Sequence, residues 1–323
     1  MGRMEEMEAR LKSRMDAMNK HLADRMAAVD AKLGIAPVTA SVTNAAAYGQ
    51  ADGCDLQTYN SMARADVAGI GTVFADFMQP SGVEMAQLFE YVRRAPVVQD
   101  NQVYAATMNR VRFEYNIDPN NVEHNKVNAN AGLDKNGVPV IRIFGGAARI
   151  GRVAALSIAT MKYGNDGDAV KRFIATLKPA QCHTFTVNDA IQVTNDAKLV
   201  TALRSDGVIV NAKSISAGLM LGIIAHEAGH LSLGHSFSRG NYYKTNLEVA
   251  RNREREADSF SSSVIATSPF GESILEGTLL WYYVLASHER GEESTHPLSR
   301  ERFMNIVNSN KELARKLGIE LAE

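Results

Sequence analysis

The feature that most constrains the fold is the segment His-Glu-Ala-Gly-His at residues 226–230, which directly follows the apolar run 217–225. An apolar run of this kind predicts a helix that lies inside a domain. On a helix, residues four positions apart project from one face, so His226 and His230 can bind one tetrahedral zinc ion. Two histidines and a glutamate would be costly in a core unless they bind a metal or pair with one another. The segment therefore predicts a buried helix that carries two metal ligands.

A proton acceptor and a third ligand complete the predicted site. Glu227 follows the first histidine and reaches the side of the metal where water binds, so it can take the proton of that water. The third ligand is expected from a later helix, and Glu254 lies 24 positions past His230. Asp258 lies on the same helical face and is expected to hydrogen-bond the second nitrogen of a ligand histidine. Glu256 falls on another face and is expected to be solvated.

Charge and composition exclude several classes of protein. The chain has 35 basic and 36 acidic residues and a net charge of −1, which gives no long-range field for nucleic acid or an anionic membrane. The longest apolar run is far shorter than the span of about 20 residues that a bilayer needs, and no secretory signal is visible. A cytoplasmic chain without an integral membrane segment is predicted, although an exported chain trimmed of its signal would look the same. Cys54 and Cys182 predict two unrelated thiols, with one disulfide as the alternative.

Residues 3–33 contain an eleven-residue repeat. An Arg-Met pair recurs every eleven residues, and so does a leucine, at Leu11, Leu22 and Leu33. Eleven residues in three turns is about 3.67 per turn, close to a straight helix. The repeat predicts an amphipathic helix over residues 1–34 whose apolar stripe forms a homo-oligomeric coiled coil. Packing of the stripe along the globular part of the same chain is the alternative.

The remaining chain divides into a linker and one domain. Residues 35–66 are rich in small and polar residues without a lasting period, which predicts a linker. Strands are predicted at 111–115 and 138–144, with a short third strand at 208–210. Helices are predicted at 82–94, 98–109, 148–162, 167–178, 214–235, 245–266, 272–288 and 298–316. Residues 67–323 are therefore expected to form a mostly helical α+β domain with a small antiparallel or mixed sheet.

Four segments, taken in chain order, resemble the HtpX- and BepA-like gluzincin peptidases, a superfamily that includes the CAAX prenyl proteases. The segments are Asn-Ala-Asn-Ala at 128–131 with the strand that ends in Gly-Gly at 145–146, the histidine segment with its continuation to His235, Glu254 with Ala257 and Asp258, and Thr-His-Pro at 295–297 with Arg302. The resemblance covers about residues 82–310. The membrane helices of HtpX and the prenyl proteases, and the repeat domain of BepA, have no counterpart here.

The resemblance implies a zincin-like metallopeptidase domain with one zinc ion per chain, held by His226, His230 and Glu254. Glu227 is the expected general base. Asp258 and Arg302 are expected to support the ligands without touching the metal. His296 is expected near the metal, where it steadies the oxyanion or gates the open position; the alternative is a histidine that only packs at the start of a helix.

The resemblance also implies where a polypeptide substrate binds. The strand with Ile141 and Ile143, continued by Gly145 and Gly146, is expected to be an exposed edge that pairs with an extended peptide. Residues 151–214 separate this strand from the histidine helix where many relatives have a short link. This insertion is expected to be a lid or a decoration.

These observations predict a zinc metalloendopeptidase that hydrolyses peptide bonds with the water activated by Glu227. The alternative from another class is an oligomeric scaffold or chaperone-like protein with a structural or latent zinc site. A peptidase whose cleft is filled by residues 35–66 or by the insertion, and an aminopeptidase, are narrower alternatives. Trp281, Tyr282, Tyr283 and Leu285 are expected to pack in the core rather than to contact substrate.

Overall fold

The computed structural model describes residues 77–78, 80–118, 121–177, 183–194, 197–203, 205–235, 247–286 and 299–319. These residues belong to one compact unit that begins at Phe77. The predicted helix at 1–34, the linker at 35–66, both cysteines and His296 lie outside the described residues.

Helices make up most of the described part of the chain, together with one small sheet. In chain order the elements are α1 (Gly82–Arg93), α2 (Pro96–Gln99), α3 (Gln102–Met108), β1 (Arg112–Asn116), a 3-10 turn (Val122–Asn125), β2 (Ala129–Leu133), β3 (Pro139–Phe144), α4 (Gly145–Tyr163), α5 (Ala169–Thr176), α6 (Val187–Thr194), α7 (Ala197–Ala202), α8 (Asp206–Ser232), α9 (Leu247–Thr267), α10 (Gly271–Ala286), α11 (Ser299–Ser309) and α12 (Lys311–Lys316). The predicted mostly helical α+β class is confirmed; the N-terminal helix stays a prediction.

The three strands are ordered β1-β3-β2, with β3 parallel to β1 and antiparallel to β2. The prediction that Ile141 and Ile143 lie on an exposed edge strand is wrong, because β3 is the central strand and both side chains are fully buried. Gly145 and Gly146 begin α4 instead of extending the strand. Pro139 is tolerated because it stands at the first position of β3.

The strand β2 was not predicted as a strand. Its sequence, Ala-Asn-Ala-Gly-Leu, lacks the β-branched and aromatic residues that favour strands. Pairing with the strongly apolar β3 outweighs this weak intrinsic preference, and β2 becomes the edge strand that packs beside α8.

Helix α8 is the central element of the described unit, and α4, α9 and α10 pack against it. The predicted strand at 208–210 is wrong, since these residues lie in the first turns of α8. Val208 and Ile209 are both buried whereas Val210 is exposed, which is the pattern of a helical face and not of an alternating strand.

By length and composition, α8 is the one helix among the described residues that could cross a membrane. However, 72% of its apolar window is buried inside the unit. A buried core helix meets the same test, so α8 is weak evidence for a membrane span. The cytoplasmic location stays a prediction.

The predicted insertion at 151–214 is partly core. Val153 and Leu156 of α4 are fully buried, and α4 packs along α8. Residues 206–214 form the beginning of α8 itself. These two parts are neither lid nor decoration, because removing them would expose the helix that carries the histidines. For α5, α6 and α7 the lid stays a prediction.

Candidate metal centre

Two neighbouring helices bring three donor groups to one point. His226 and His230 lie one turn apart near the end of α8, and Glu254 faces them from α9. The Nε2 atoms of the two histidines are 3.1 Å apart. Glu254 places Oε2 3.2 Å from Nε2 of His226 and Oε1 3.4 Å from Nε2 of His230. The structure therefore assembles the His-His-Glu group that the sequence indicated.

These distances fit a bound divalent cation. In a tetrahedral zinc site with metal–ligand distances of about 2.0–2.1 Å, the ligand atoms lie about 3.3 Å from one another. The one group of metal-binding side chains found among the described residues has three members, all within 4.8 Å of one another. Three protein ligands are the number typical of catalytic zinc sites, whereas structural sites have four.

The close approach of α8 and α9 depends on Gly229, which lies between the two histidines. A Cβ atom at this position would lie 3.1 Å from Cα of Ala257 and 3.1 Å from Cβ of Phe260. These contacts are tighter than ordinary van der Waals contact, so a side chain here would require the neighbouring atoms of α9 to shift by a few tenths of an ångström. The glycine in the motif therefore acts through packing, which motif spacing alone does not reveal.

Glu227 occupies the position after His226 and is 8% exposed. Burial raises the pKa of its carboxyl group, and the charges of His226 and His230 oppose that rise. The carboxyl group is thus close enough to both histidines for their charges to act on it. A buried carboxylate beside the ligands is well placed to exchange a proton with a molecule in the site.

Asp258 anchors His226 from behind. Its Oδ1 atom lies 2.9 Å from Nδ1 of His226 and accepts a hydrogen bond from the Tyr282 hydroxyl, also at 2.9 Å. Arg302, on α11, donates to both carboxylate oxygens at 2.9 and 2.8 Å. The guanidinium also stacks on the ring of Tyr282, 4.7 Å from its centroid. Asp258 and Arg302 therefore lie together behind His226, and their support of a metal ligand stays a prediction.

Electrostatic interactions within the cluster are strong because all its members are largely buried. Burial and the charge of Arg302 lower the pKa of His226, but contacts with Asp258 and Glu254 outweigh them and raise it to about 9. Burial raises the pKa of Glu254, yet its bonds to His226 and His230 hold it far below the usual value. The cluster thus favours a positive charge between the carboxylates, and a bound cation would take the place of the histidine proton.

A second set of contacts, the arm formed by His235 and Glu256, lies behind His230 and was not predicted from the sequence. Nδ1 of His230 lies 3.1 Å from Nδ1 of His235, and Nε2 of His235 lies 2.8 Å from Oε2 of Glu256. Burial and the charge of His230 lower the pKa of His235, while Glu256 opposes this. Glu256 is solvated as expected, with a side chain that is 61% exposed, and its carboxylate also contacts His235.

Other predicted residues fall elsewhere. His296 is outside the described residues, so its role stays a prediction. Tyr282 packs in the core as expected, but its hydroxyl group also belongs to the site through Asp258. This contact could not be read from spacing, because α10 and α9 meet only in the folded chain.

A comparison with protein-family models matches residues 195–318 to the family Peptidase U49. This range contains His226, Glu227, His230, Glu254 and Arg302. The match supports a peptidase family and therefore a peptide hydrolase, but it does not point specifically to the HtpX- and BepA-like gluzincins. No curated protein and no solved structure matches the chain.

Proposed function

We propose that this chain is a zinc-dependent metalloendopeptidase, with His226, His230 and Glu254 as ligands of one zinc ion and Glu227 as general base. The observation that carries the proposal is the convergence of two imidazoles and a carboxylate, whose ligand atoms all lie within 4.8 Å of one another. The peptidase family match covers the same residues.

The chemistry divides between the cation and the chain. Zinc, when bound, lowers the pKa of a water molecule and polarises the scissile carbonyl group. Glu227 takes a proton from the attacking water and transfers it to the leaving nitrogen. Asp258 keeps His226 oriented by accepting a hydrogen bond from Nδ1, so that Nε2 faces Glu254.

The substrate is a polypeptide, and we place it along β2. This strand forms an edge of the described sheet and packs beside α8, whereas β3 is enclosed between two strands. An extended peptide can add to a sheet at such an edge. A photoreactive peptide inhibitor should crosslink to residues 129–133; crosslinking confined to β1 at the opposite edge would contradict this placement.

The proposed function is tested by metal analysis together with a protease assay on the full chain. We expect about one zinc ion per chain, cleavage of casein, and loss of cleavage after chelation. Glu227→Gln should retain zinc but lower the cleavage rate at least about 100-fold, because it removes the proton acceptor and keeps the ligands. Glu248→Gln, an exposed carboxylate on α9, is the matched control.

The outcomes separate the alternatives. A Glu227→Gln variant that cuts at the wild-type rate would rule out this residue as the base. A wild-type chain that binds zinc tightly but cleaves neither casein nor small peptides would favour the scaffold with a structural or latent site. A chain that binds no divalent metal would remove the basis of the proposal.

A further inference from the structure

We infer that His235 and Glu256 act as a positioning pair that fixes His230 in the tautomer able to bind the metal. The inference rests on the proposed zinc site and adds two residues to it. Neither residue touches the three donor atoms, so both act through His230.

The side chains of His230, His235 and Glu256 form a linear series of hydrogen-bond contacts. Nε2 of His230 faces His226 and Glu254, at 3.1 and 3.4 Å. Its other ring nitrogen, Nδ1, faces Nδ1 of His235 at 3.1 Å. The far nitrogen of His235, Nε2, lies 2.8 Å from a carboxylate oxygen of Glu256.

Only one placement of the ring protons along this series of contacts is compatible with metal binding by His230. A metal ligand needs a free lone pair on Nε2 of His230, so that ring carries its proton on Nδ1. The facing Nδ1 of His235 must then accept, and His235 carries its own proton on Nε2. An ionised carboxylate only accepts hydrogen bonds, so Glu256 selects this tautomer of His235. The opposite arrangement would place the proton of His230 on the metal-binding nitrogen.

The C-terminal end of α8 places His235 next to His230. Gly234 adopts a φ of 74°, in the left-handed region that glycine enters without strain. The amide of Leu233 donates to the carbonyl of Gly229 at 2.9 Å, and the amide of Gly234 donates to that of Leu231 at 3.1 Å. The helix therefore ends just before His235, whose side chain is buried at 7% exposure.

The α9 helix supplies the other half of the arrangement. Glu256 lies two residues after Glu254, on another face of the same helix. Arg253 donates from Nη1 to the backbone carbonyl of His235 at 3.4 Å. One helix thus presents both a metal ligand and the group that orients the partner of another ligand.

The experiment measures zinc affinity by competition with a chelating dye on the full chain. His235→Ala should raise the zinc Kd about 10- to 100-fold, the usual effect of losing a residue that orients a ligand. His235→Asn should recover most of this loss, because the amide oxygen lies near the position of Nδ1 and accepts the same hydrogen bond. Circular dichroism checks that each variant is folded.

A double-mutant cycle tests the role of Glu256. Glu256→Ala should raise the zinc Kd several-fold in the wild-type background and have no effect in the His235→Asn background, where no imidazole tautomer remains to be selected. The control Glu248→Ala removes an exposed carboxylate from the same helix and should change neither value.

A spectroscopic readout distinguishes positioning from simple packing. In the zinc-loaded chain, ring-nitrogen NMR shifts should show the Nε2–H form of His235, and Glu256→Ala should increase the Nδ1–H form. Equal zinc affinity for wild type, His235→Ala and Glu256→Ala would overturn the inference while leaving the zinc site intact. A wild-type chain without zinc affinity would overturn the proposed function itself, and the inference with it.

Discussion

The two histidines of the candidate metal site differ in how the fold supports them. Behind His226, the carboxylate of Asp258 is 3% exposed and receives hydrogen bonds from Tyr282 and, twice, from Arg302. Behind His230 lies His235, which in turn contacts Glu256. The side chain of Glu256 is 61% exposed. The arm behind His226 is a buried charged network, and the arm behind His230 is a linear series of contacts that leads to the surface.

The difference indicates which arm also stabilises the fold. A buried carboxylate that loses its cationic partner is strongly destabilising, since desolvation is no longer offset. An exposed carboxylate is solvated whether or not it has a partner, so its removal costs little. We therefore expect changes behind His226 to affect both stability and metal affinity, and changes behind His230 to affect mainly metal affinity.

The largest effect is expected from Arg302→Met. This variant keeps much of the side-chain volume but leaves Asp258 as a buried carboxylate without its guanidinium. The free energy of unfolding of the metal-free chain should fall by about 3 kcal/mol. Denaturant unfolding followed by circular dichroism, in the presence of a chelator, measures this.

The matched control for Arg302→Met is Arg255→Met. Arg255 also links α9 to α11, through Glu301 at 2.8 Å, but both side chains are more than one third exposed. Its loss should cost less than about 1 kcal/mol, because exposed ion pairs are screened by solvent. Equal losses for the two variants would contradict the distinction between the buried and the exposed arm.

A smaller effect on stability, but a clear one on metal binding, is expected from Asp258→Asn. The neutral amide can no longer balance Arg302 or polarise His226 to the same degree. The zinc Kd should rise about 10- to 100-fold. Asp166→Asn removes a carboxylate that binds Arg172 and touches no ligand, so it should leave the zinc Kd unchanged. A change no larger than that of Glu256→Ala would make the two arms equivalent.

The smallest effect is expected from Tyr282→Phe. Three hydrogen-bond contacts to Asp258, from His226 and Arg302, remain. Stability should fall by about 1 kcal/mol and the zinc Kd should rise less than tenfold. Tyr91→Phe, which removes a hydroxyl group bonded to Ser268 at 2.6 Å, should lower stability by a similar amount without changing the zinc Kd. A tenfold or greater change for Tyr282→Phe would show that the hydroxyl group orients His226 through Asp258.

Much of the site could be read from local spacing. The four-residue interval between His226 and His230, and between Glu254 and Asp258, places each pair on one helical face whatever the rest of the chain does. The apolar residues before His226 likewise indicate a buried helix, which α8 is. The structure brings these two pairs together, with Asp258 at 2.9 Å from His226.

Other features depended on which elements become neighbours. The strand with Ile141 and Ile143 was expected at an edge because of the resemblance to the gluzincins, yet β2, with low strand propensity, pairs with it and encloses it. His235 and Glu256 carried no spacing signal, since 21 positions separate them and the turn at Gly234 decides where His235 points.

The sequence by itself determined the helical faces that carry the histidines and the carboxylates, because side-chain direction along a helix follows from backbone geometry within one turn. Only the tertiary structure decided that β3 is central, that Tyr282 reaches Asp258, and that Glu256 holds His235. The physical reason is that such contacts join residues distant in sequence, and their formation depends on how whole elements pack around α8.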